Sequence, residues 1–417
     1  AAQGGAVGAD LGGGRDRQDD YDARGGETEF VSGFYGRRTH DVVDFNECLI
    51  QNRTNNEVFQ ALNALVAERA IPVYGGDAPE PGAGAPRTVS RCREGSAPAC
   101  GGALKHLVVR CTRDGEQALA VLGGCGGPLR DVERAAYELM LTVPKLVGVV
   151  EETEPARDPG EGAGGGREPS RGGGRRQLWR AAPRVVRGAG FLRERILGLE
   201  FMVSADSFLQ VNPEGMEVLY GEALRAADLS GDEVALDAYC GVGSISLALA
   251  RECRHVYGIE EVNAAVADAR RNAGLNRLTN CAFIVGRVED VLSARFGFGI
   301  DVDAGGGAAA SPGCEPAESR GHAPGRGRQA GRKTSPLPCH VDVVVLDPPR
   351  AGCDVRALRA LALLEPSRMV YVSCDPETLA RDLGILAGIG YRPTLVQPVD
   401  MFPQTSHVES VVRLMRS

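Results

Sequence analysis

The stretch LDAYCGVGSISLALA, residues 236 to 250, decides the fold of the second half of the chain. An apolar run ends at Tyr239, a Gly-x-Gly turn follows at Gly241 and Gly243, and a helical pattern comes after it. Glycines there let the backbone approach a ligand, and a helix start offers unpaired N–H groups. A Gly-x-Gly turn alone is weak evidence, and a purely structural turn is the alternative to a nucleoside site.

Two features next to this turn favour a nucleoside site of a particular kind. The next apolar run ends in Glu260, a carboxylate placed to bind the two hydroxyl groups of a ribose. The dinucleotide fingerprint has a third glycine, and Ser246 occupies that position here. The combination therefore predicts a methyltransferase rather than a dehydrogenase.

Apolar runs and helical patterns alternate from Phe201 to the end of the chain. This alternation predicts a doubly wound parallel sheet, whose ligands lie beyond the carboxyl ends of the strands. Asn212 and Pro213 form a helix start, with Asn as the cap and Pro in the first turn. The last run, residues 407–416, predicts a closing edge strand. The other apolar runs are EVALDAY (233–239), HVYGIE (255–260), CAFIV (281–285), VDVVVLD (341–347) and RMVYVS (368–373).

The first half of the chain predicts a smaller α/β domain. Two strands are predicted at 104–111 and 117–124, joined by a turn at Arg113-Asp114-Gly115. A helix at 131–142 and a strand at KLVGVVEE (145–152) follow. Three stretches are too poor in apolar residues to offset the entropy of ordering, so they predict disorder. They are residues 1–28, 154–176 and about 299–340.

The composition limits the cellular setting and the partners. The chain has 417 residues, a formal charge of −8, and 12 Cys without a CxxC pair or a Cys/His metal framework. Scattered Cys indicate small buried side chains in a reducing compartment. No apolar run reaches the roughly 18 residues of a membrane span. The acidic total neither supports nor excludes RNA, because phosphate contacts need a local basic patch.

Two segments at predicted strand ends carry candidate catalytic groups. LDPPRAG (346–352) places Asp347 at a strand end, and its two prolines make the following loop rigid. YVSCDPETLARD (371–382) places Cys374 before a helix start, where free N–H groups favour a thiolate. Asp375 opposes this effect through its own charge. On these residues alone, a nucleophile and a buried structural thiol are equal alternatives for Cys374.

Two further segments contain polar side chains with alternative roles. In DMFPQTSHVESV (400–411), Glu409 stands between valines, where burial raises the pKa of a carboxyl and suits it to act as a general base. An exposed strand position is the alternative. In ADSFLQVNP (205–213), Gln210 and Asn212 can hydrogen-bond a nucleobase or a cofactor, or form only a helix cap with a polar neighbour.

These segments, taken in this order, resemble the RNA uracil-C5-methyltransferase family. The resemblance rests on DPPRAG, SC-x-P-x-TLARDL and DMFPQT-x-HVE, which are specific as a set. It covers residues 201–417 apart from the Gly-rich insertion, and it extends back through GFYGRRTHDVVDFNECLIQ (33–51) and LKHLVVR (104–110). The bacterial large-subunit ribosomal RNA branch gives the better match, and the tRNA T-loop branch is a relative.

The resemblance implies a reaction and the residues that perform it. Cys374 matches the nucleophile, which adds to carbon 6 of a uracil and makes an enolate. The enolate takes a methyl group from S-adenosylmethionine at carbon 5; a carboxylate, matched by Glu409, removes the hydrogen there, and the Cys is expelled. Because stacking hides carbon 6, the base must be flipped out. Positions that contact the cofactor or the target base match Gln210, Tyr239, Glu260 and Asp347.

Three positions depart from the family pattern. Asp375 stands where the family usually has Asn, and Arg287 stands near a position where some relatives have a cofactor-contacting Asn. Cys48 matches one ligand of an iron–sulfur cluster, but the Cys-rich motif that supplies the other three is missing. We therefore expect neither a cluster nor another metal in this chain as given. Since the family's N-terminal RNA-binding barrel is missing too, we expect a truncated N-terminus or a lineage without both.

The sequence thus predicts methylation of uridine carbon 5 in structured RNA, with large-subunit ribosomal RNA as the first choice. The alternatives are a tRNA T-loop uridine C5-methyltransferase and a non-catalytic RNA-binding paralogue. We expect a monomer that binds RNA and no membrane, in a reducing intracellular compartment that is either the cytoplasm or an organelle. The predicted domains are a disordered tail (1–28), a small α/β RNA-recognition domain (29–198) with the Gly-rich insertion at 154–176, and a Rossmann-like, doubly wound class I methyltransferase domain (199–417) with the disordered insertion at about 299–340.

Overall fold

The computed structural model describes residues 7–13, 30–35, 42–68, 70–73, 102–125, 127–153, 183–205, 207–296, 337–338 and 340–417. The chain divides into a first unit, residues 1–194 and 202–211, and a second unit, residues 195–201 and 212–417. The predicted insertion at 154–176 lies outside the described residues, as does nearly all of the one at about 299–340. No helix in the described part of the chain is long and apolar enough to cross a membrane.

The elements up to Ser204 form a mixed sheet and a separate hairpin. They are β1 (Val7–Gly13), β2 (Phe30–Tyr35), β3 (Val42–Asp44), α1 (Arg53–Ala67), β4 (Ala103–Cys111), β5 (Ala118–Cys125), α2 (Val132–Thr142), β6 (Leu146–Thr153), β7 (Arg184–Gly188), β8 (Phe191–Ile196) and β9 (Leu199–Ser204). The sheet has the order β3-β2-β1-β4-β5-β6-β7, and β8 pairs with β9. β4 and β5 are antiparallel, and β6 runs parallel to β5 after α2. These elements confirm the predicted hairpin, helix and strand.

The N-terminal stretch contains a strand that its composition does not predict. Residues 1–28 are expected to be disordered, whereas Val7–Gly13 forms β1 and pairs antiparallel with β2 and β4. Strand pairing uses backbone N–H and C=O groups, which a Gly-rich segment also has, so few apolar side chains do not exclude it. The prediction is wrong for these seven residues. The rest of the tail lies outside the described residues.

The core of the first unit lies between its helices and its sheet. Leu62 of α1 and Leu139 of α2 are fully buried in one cluster with residues of β4 and β5. Residues 202–211, which the predicted boundary at 198/199 assigns to the methyltransferase domain, belong to this unit. Within this unit, Ala205 packs in a second small cluster with Leu119 and Leu192.

The second unit is an open sheet with helical connections. Its elements are α3 (Pro213–Ala227), β10 (Val234–Ala238), α4 (Ser244–Ala250), β11 (His255–Glu260), α5 (Asn263–Leu275), β12 (Cys281–Val285), α6 (Val288–Phe296), β13 (Val343–Leu346), α7 (Val355–Ala362), β14 (Arg368–Ser373), α8 (Pro376–Gly388), β15 (Tyr391–Val399) and β16 (Glu409–Arg416). The strand order is β12-β11-β10-β13-β14-β16-β15, and the first five strands are parallel. This confirms the predicted α/β fold. The order reverses between β10 and β13, and such switch points bind ligands.

The last strand lies inside the sheet rather than at its edge. β16 runs antiparallel to β14 on one side and to β15 on the other, so β15 is the edge strand. The predicted closing edge at 407–416 is therefore wrong. β15 contains Pro393 and Pro398. Proline lacks the N–H that a central strand needs, so it is tolerated at an edge and hides the strand from a sequence pattern.

Candidate active site

The glycine turn after β10 is held over the end of β11. The N–H groups of Tyr239 and Cys240 donate to the carbonyl of Ile259 at 2.9 and 3.0 Å. Tyr239 has φ +73°, which is uncommon for a residue with a side chain. Gly241 has φ +54°, and a Cβ built on it meets no atom within 4 Å. The turn therefore has the left-handed backbone that favours glycine, with open space beside it.

The carboxylate of Glu260 lies against this turn. Its Oε2 accepts a hydrogen bond from the Gly241 N–H at 3.1 Å, and its Oε1 accepts one from the Val262 N–H at 2.8 Å. Burial raises the pKa of this carboxyl above its ordinary value. Each carboxylate oxygen has a second lone pair. Glu260 is thus oriented by the backbone and can still accept hydrogen bonds from two hydroxyl groups of a ligand.

Asp237, which the sequence reasoning missed, lies in β10 and bonds to the helix that follows the same turn. It is fully buried, and the Ser246 hydroxyl donates to its Oδ2 at 2.5 Å. Its Oδ1 has no hydrogen-bond partner within the described residues. Burial raises its pKa to about 7. The signal in the sequence is an acid in an otherwise apolar strand, two residues before Tyr239.

Asp347 stands on the other side of the switch point, at the end of β13. Its N–H donates to the carbonyl of Ala238 at 3.4 Å, which places it beside the end of β10. Burial, and then the charge of Asp237, raise the pKa of Asp347 to about 7. The structure thus brings Tyr239, Glu260 and Asp347 to the carboxyl ends of three adjacent strands, as the sequence predicts.

The thiol of Cys374 lies between β14 and α8 and is half-buried. Burial raises its pKa to about 11, and the charges of Glu409 and Asp347 act in the same direction. The Arg350 guanidinium opposes them and favours the thiolate. The predicted benefit of the helix start is therefore outweighed by burial. At neutral pH the group is a thiol.

Asp375 is the N-cap of α8. Its Oδ1 accepts hydrogen bonds from the N–H groups of Glu377 and Thr378 at 3.0 and 3.2 Å. Its Oδ2 accepts a hydrogen bond from Arg350 Nε at 3.4 Å. These bonds hold the pKa of Asp375 below its usual value against the effect of burial. The acid that replaces the family's Asn therefore keeps the capping role and also holds Arg350.

Glu409 begins β16 and is only 3% exposed, so the exposed alternative for it is wrong. Ser410 pairs with Ser373 in the sheet, which puts Glu409 beside the start of the Cys374 turn. Burial, and then the charge of Asp347, raise the pKa of Glu409 to about 7. Cys374, Glu409 and Asp347 thus share one end of the sheet and influence each other's charge.

Of the two polar residues before α3, Gln210 and Asn212, the second has a structural role. Asn212 Oδ1 accepts a hydrogen bond from the Gly215 N–H at 3.0 Å, and its Nδ2 donates to the Met401 carbonyl at 2.9 Å. Asn212 is therefore a helix cap that ties α3 to the loop before β16. Gln210 is largely buried and belongs to the first unit.

The remaining departures from the family pattern have local partners. The Cys48 N–H donates to Asn56 Oδ1 at 2.9 Å, and Asn56 Nδ2 donates back to the Cys48 carbonyl at 3.0 Å. Arg287 forms an ion pair of 2.5 Å with the buried Glu289 at the start of α6. No group of three or more His, Cys, Asp or Glu that could hold a metal occurs in the part of the chain that the structure describes.

Comparison with known proteins defines the class to which this fold and site belong. A family model described as a methyltransferase domain matches residues 229–302, which include the glycine turn and Glu260. A crystal structure of Pyrococcus abyssi tRNA (uracil-54, C5)-methyltransferase matches the fold with a TM-score of 0.60 at 20% identity, covering 99% of this chain and 76% of that one. The second unit has the fold of an S-adenosylmethionine-dependent methyltransferase.

A second family model, described as tRNA (uracil-5-)-methyltransferase, matches residues 338–417, which include Asp347, Cys374 and Glu409. An RNA methyltransferase of Halalkalibacterium halodurans is 33% identical over 391 residues, which are 93% of this chain and 69% of the relative. One from Listeria monocytogenes is 33% identical over 386 residues, 93% of this chain and 68% of the relative. The chain belongs to the RNA uracil-C5-methyltransferase family and is an RNA methyltransferase.

Proposed function

We propose that the chain methylates carbon 5 of a uridine through a covalent adduct between Cys374 and carbon 6 of the base. The observation that carries this proposal is the position of Cys374, Glu409 and Asp347 at one end of the sheet, beside the switch point. A thiol and a carboxyl with a pKa of about 7 are the two groups that addition and proton removal require.

The cofactor proposal rests on the glycine turn. The open space beside Gly241 and the oriented carboxylate of Glu260 fit a nucleoside with a free ribose diol. We assign Glu260 to the ribose, and Tyr239 and Asp347 to further contacts with the cofactor or the target base. S-adenosylmethionine, when bound, supplies an electrophilic methyl group on a sulfonium.

The protein residues then act in sequence on the base. The Cys374 thiol gives its proton to solvent water, and its sulfur bonds to carbon 6, which gives an enolate with carbon 5 as the nucleophilic centre. Arg350 favours the thiolate form through its positive charge. After methylation of carbon 5, the carboxylate of Glu409 takes the hydrogen from that carbon. The electron pair restores the double bond as the sulfur leaves.

We propose large-subunit ribosomal RNA as the substrate, because the match of DPPRAG, SC-x-P-x-TLARDL and DMFPQT-x-HVE is better with that branch of the family. A tRNA T-loop uridine is the second candidate. It is favoured by the family model over residues 338–417 and by the fold of the Pyrococcus abyssi enzyme. We further propose that the protein works in a reducing compartment, since the seven cysteines whose side chains the structure describes are all free.

The test is incubation of the protein and S-adenosylmethionine with RNA that carries 5-fluorouridine. Fluorine cannot be removed as a proton, so the adduct should persist through denaturation, map to Cys374 and be absent in Cys374→Ala. Separate ribosomal and tRNA fragments identify the substrate class. A folded, cofactor-binding protein that forms no adduct with either RNA would contradict the catalytic proposal and favour a non-catalytic RNA-binding paralogue.

A further inference from the structure

Helix α8 is hydrogen-bonded along its first two turns to the loop at residues 347–353, here named the proline loop. Arg381 Nη2 donates to the carbonyls of Ala351 and Cys353 at 3.0 and 3.2 Å. The Thr378 hydroxyl donates to the carbonyl of Arg350 at 3.2 Å. The carbonyls of Arg350, Ala351 and Cys353 thus all accept hydrogen bonds from side chains of one helix. This loop carries Asp347, and α8 begins at Pro376, two residues after Cys374.

A buried carboxylate completes the connection. Asp382 is fully buried, and its Oδ2 accepts hydrogen bonds from the Cys353 N–H at 2.8 Å and from the Tyr371 hydroxyl at 2.6 Å. Its Oδ1 accepts a hydrogen bond from Arg381 Nε at 2.8 Å. Burial of a charge is costly unless hydrogen bonds compensate for the lost water. Asp382 has these bonds, and through them it joins the proline loop, β14 and α8 at one point.

Gly352 shows how closely the loop and the helix pack. It has φ +74°, and a Cβ built on it would lie 2.5 Å from Arg381 Nη2 and 2.6 Å from Asp382 Oδ2. Contacts under 3 Å do not occur for a real Cβ, so any larger residue would push the two groups away. The glycine of DPPRAG and the Arg-Asp of TLARD are therefore parts of one arrangement.

We propose that Arg381 and Asp382 are positioning residues for the methyl-transfer site. They hold the proline loop against the helix that follows Cys374, and so they set where Asp347 and Arg350 stand relative to the thiol. Neither residue touches the substrate in this role. The inference rests on the proposed function of Cys374 as the nucleophile.

The principal test compares Arg381→Met, Arg381→Lys and Asp382→Asn in single-turnover adduct formation with 5-fluorouridine RNA. The Arg381 side chain is 49% exposed, so its replacement leaves no buried cavity. We expect the rate to fall about 100-fold in Arg381→Met, the loss typical of a catalytic group displaced by about 1 Å. Lys cannot reproduce the two-pronged donation of Arg, so Arg381→Lys should not restore the rate.

The matched control is Glu233→Gln. Glu233 pairs with Arg368 at 3.1 Å, and both side chains are largely buried, as that of Asp382 is, but Arg368 begins β14 at the end opposite to Cys374. The control should lower the melting temperature and leave the rate per folded molecule unchanged. Equal loss of rate in the control and in the Arg381 variants, in proportion to unfolding, would assign Arg381 and Asp382 a purely structural role and overturn the inference.

A second readout works without RNA. The rate at which iodoacetamide alkylates Cys374, followed by peptide mass, reports the accessibility and charge of the thiol. We expect faster alkylation in Arg381→Met and Asp382→Asn and the wild-type rate in Glu233→Gln. A wild-type alkylation rate in Arg381→Met contradicts the positioning role. If the wild-type protein forms no RNA adduct, the proposed function is wrong. The alkylation rates still test the positioning role of Arg381 and Asp382 in that case.

Discussion

Burial raises the pKa values of Glu409 and Asp347 to about 7, the charge of Asp347 further raises that of Glu409, and both carboxylates raise the pKa of the Cys374 thiol. A carboxyl with a raised pKa is neutral below that pH and becomes a base only above it, so the pair titrates together near neutrality. We therefore expect removal of the carbon-5 hydrogen to become faster with pH through about 7 and to level off above it, whereas adduct formation keeps rising because the pKa of Cys374 is about 11. Single-turnover methylation of RNA, measured on both sides of pH 7, checks this profile.

Glu409→Gln is the control for the pH profile. It keeps the shape of the side chain and removes the base, so methylated adduct should accumulate on ordinary uridine, without fluorine. Its rate of adduct formation should no longer depend on the titration of residue 409. Normal product release by this variant would show that another group removes the carbon-5 hydrogen.

The sequence predicts the residues of the site better than it predicts their partners. The raised pKa of Glu409 follows from a local apolar pattern, which a sequence shows. The role of Asn212 depends on Met401, 189 residues away, and that of Asp382 depends on Cys353, 29 residues away. Hydrogen bonds between distant segments produce no regular spacing of residues that a sequence could show. Asp237 was missed because its partner Ser246 is informative only after folding.

At the scale of the element, the effect of having Asp375 where the family usually has Asn depends on its position at the start of α8. Asn accepts the same two cap hydrogen bonds, so Asp375→Asn should change the free energy of unfolding by no more than about 0.5 kcal/mol. The substitution removes a negative charge next to the thiol and releases Arg350 from its ion pair. We expect the pKa of Cys374 to fall and alkylation at neutral pH to become faster, as measured against pH with iodoacetamide.

Asp354→Asn is the matched control for this cap. Asp354 caps α7 in the same way and accepts a hydrogen bond from the Arg356 N–H at 2.8 Å. The change in charge is identical, but it lies at another helix start. Alkylation of Cys374 should keep its wild-type pH dependence in this variant. An equal shift in both variants would mean that net charge, rather than the α8 cap, controls the thiol.

The glycine turn makes a separate prediction about cofactor affinity. Gly241→Ala forces a side chain into a left-handed backbone, which costs about 1 kcal/mol of stability, and it also fills the open space beside the turn. Gly231→Ala shares the positive φ and the open surroundings, at +112°, but lies in the turn before β10. Both variants should be less stable, and only Gly241→Ala should bind S-adenosylmethionine more weakly in calorimetry. Equal affinity for S-adenosylmethionine in both variants would mean that the cofactor does not bind at this turn.

The elements themselves were largely predictable because their signals are local. Five parallel strands coincide with apolar runs of the expected length. β15 and β1 were not predicted, since two prolines interrupt the first and few large apolar side chains mark the second. Both depend on backbone pairing with a neighbouring strand, and the neighbour is fixed only by the whole sheet. For the same reason, the position of β16 inside the sheet was not visible in its own alternating pattern.

At the scale of the whole molecule, each unit has its own hydrophobic core. The core of the first unit includes Leu62, Leu107 and Leu139, and that of the second includes Leu236 and Tyr371. The glycine turn, Glu260, Asp347 and Cys374 all belong to the second unit. Ligand binding stabilises the structure that forms the site, so cofactor binding should act first on the second core.

We therefore expect S-adenosylmethionine at about 100 times its Kd to add about 2.7 kcal/mol to the free energy of unfolding of the second unit. Hydrogen exchange should slow in β10 and β11 and stay unchanged in β4 and β5, because the latter strands pack into the other core. Glu260→Gln, which weakens the proposed ribose contact, should reduce this protection. Equal slowing in all four strands would show that the two units unfold as one cooperative structure.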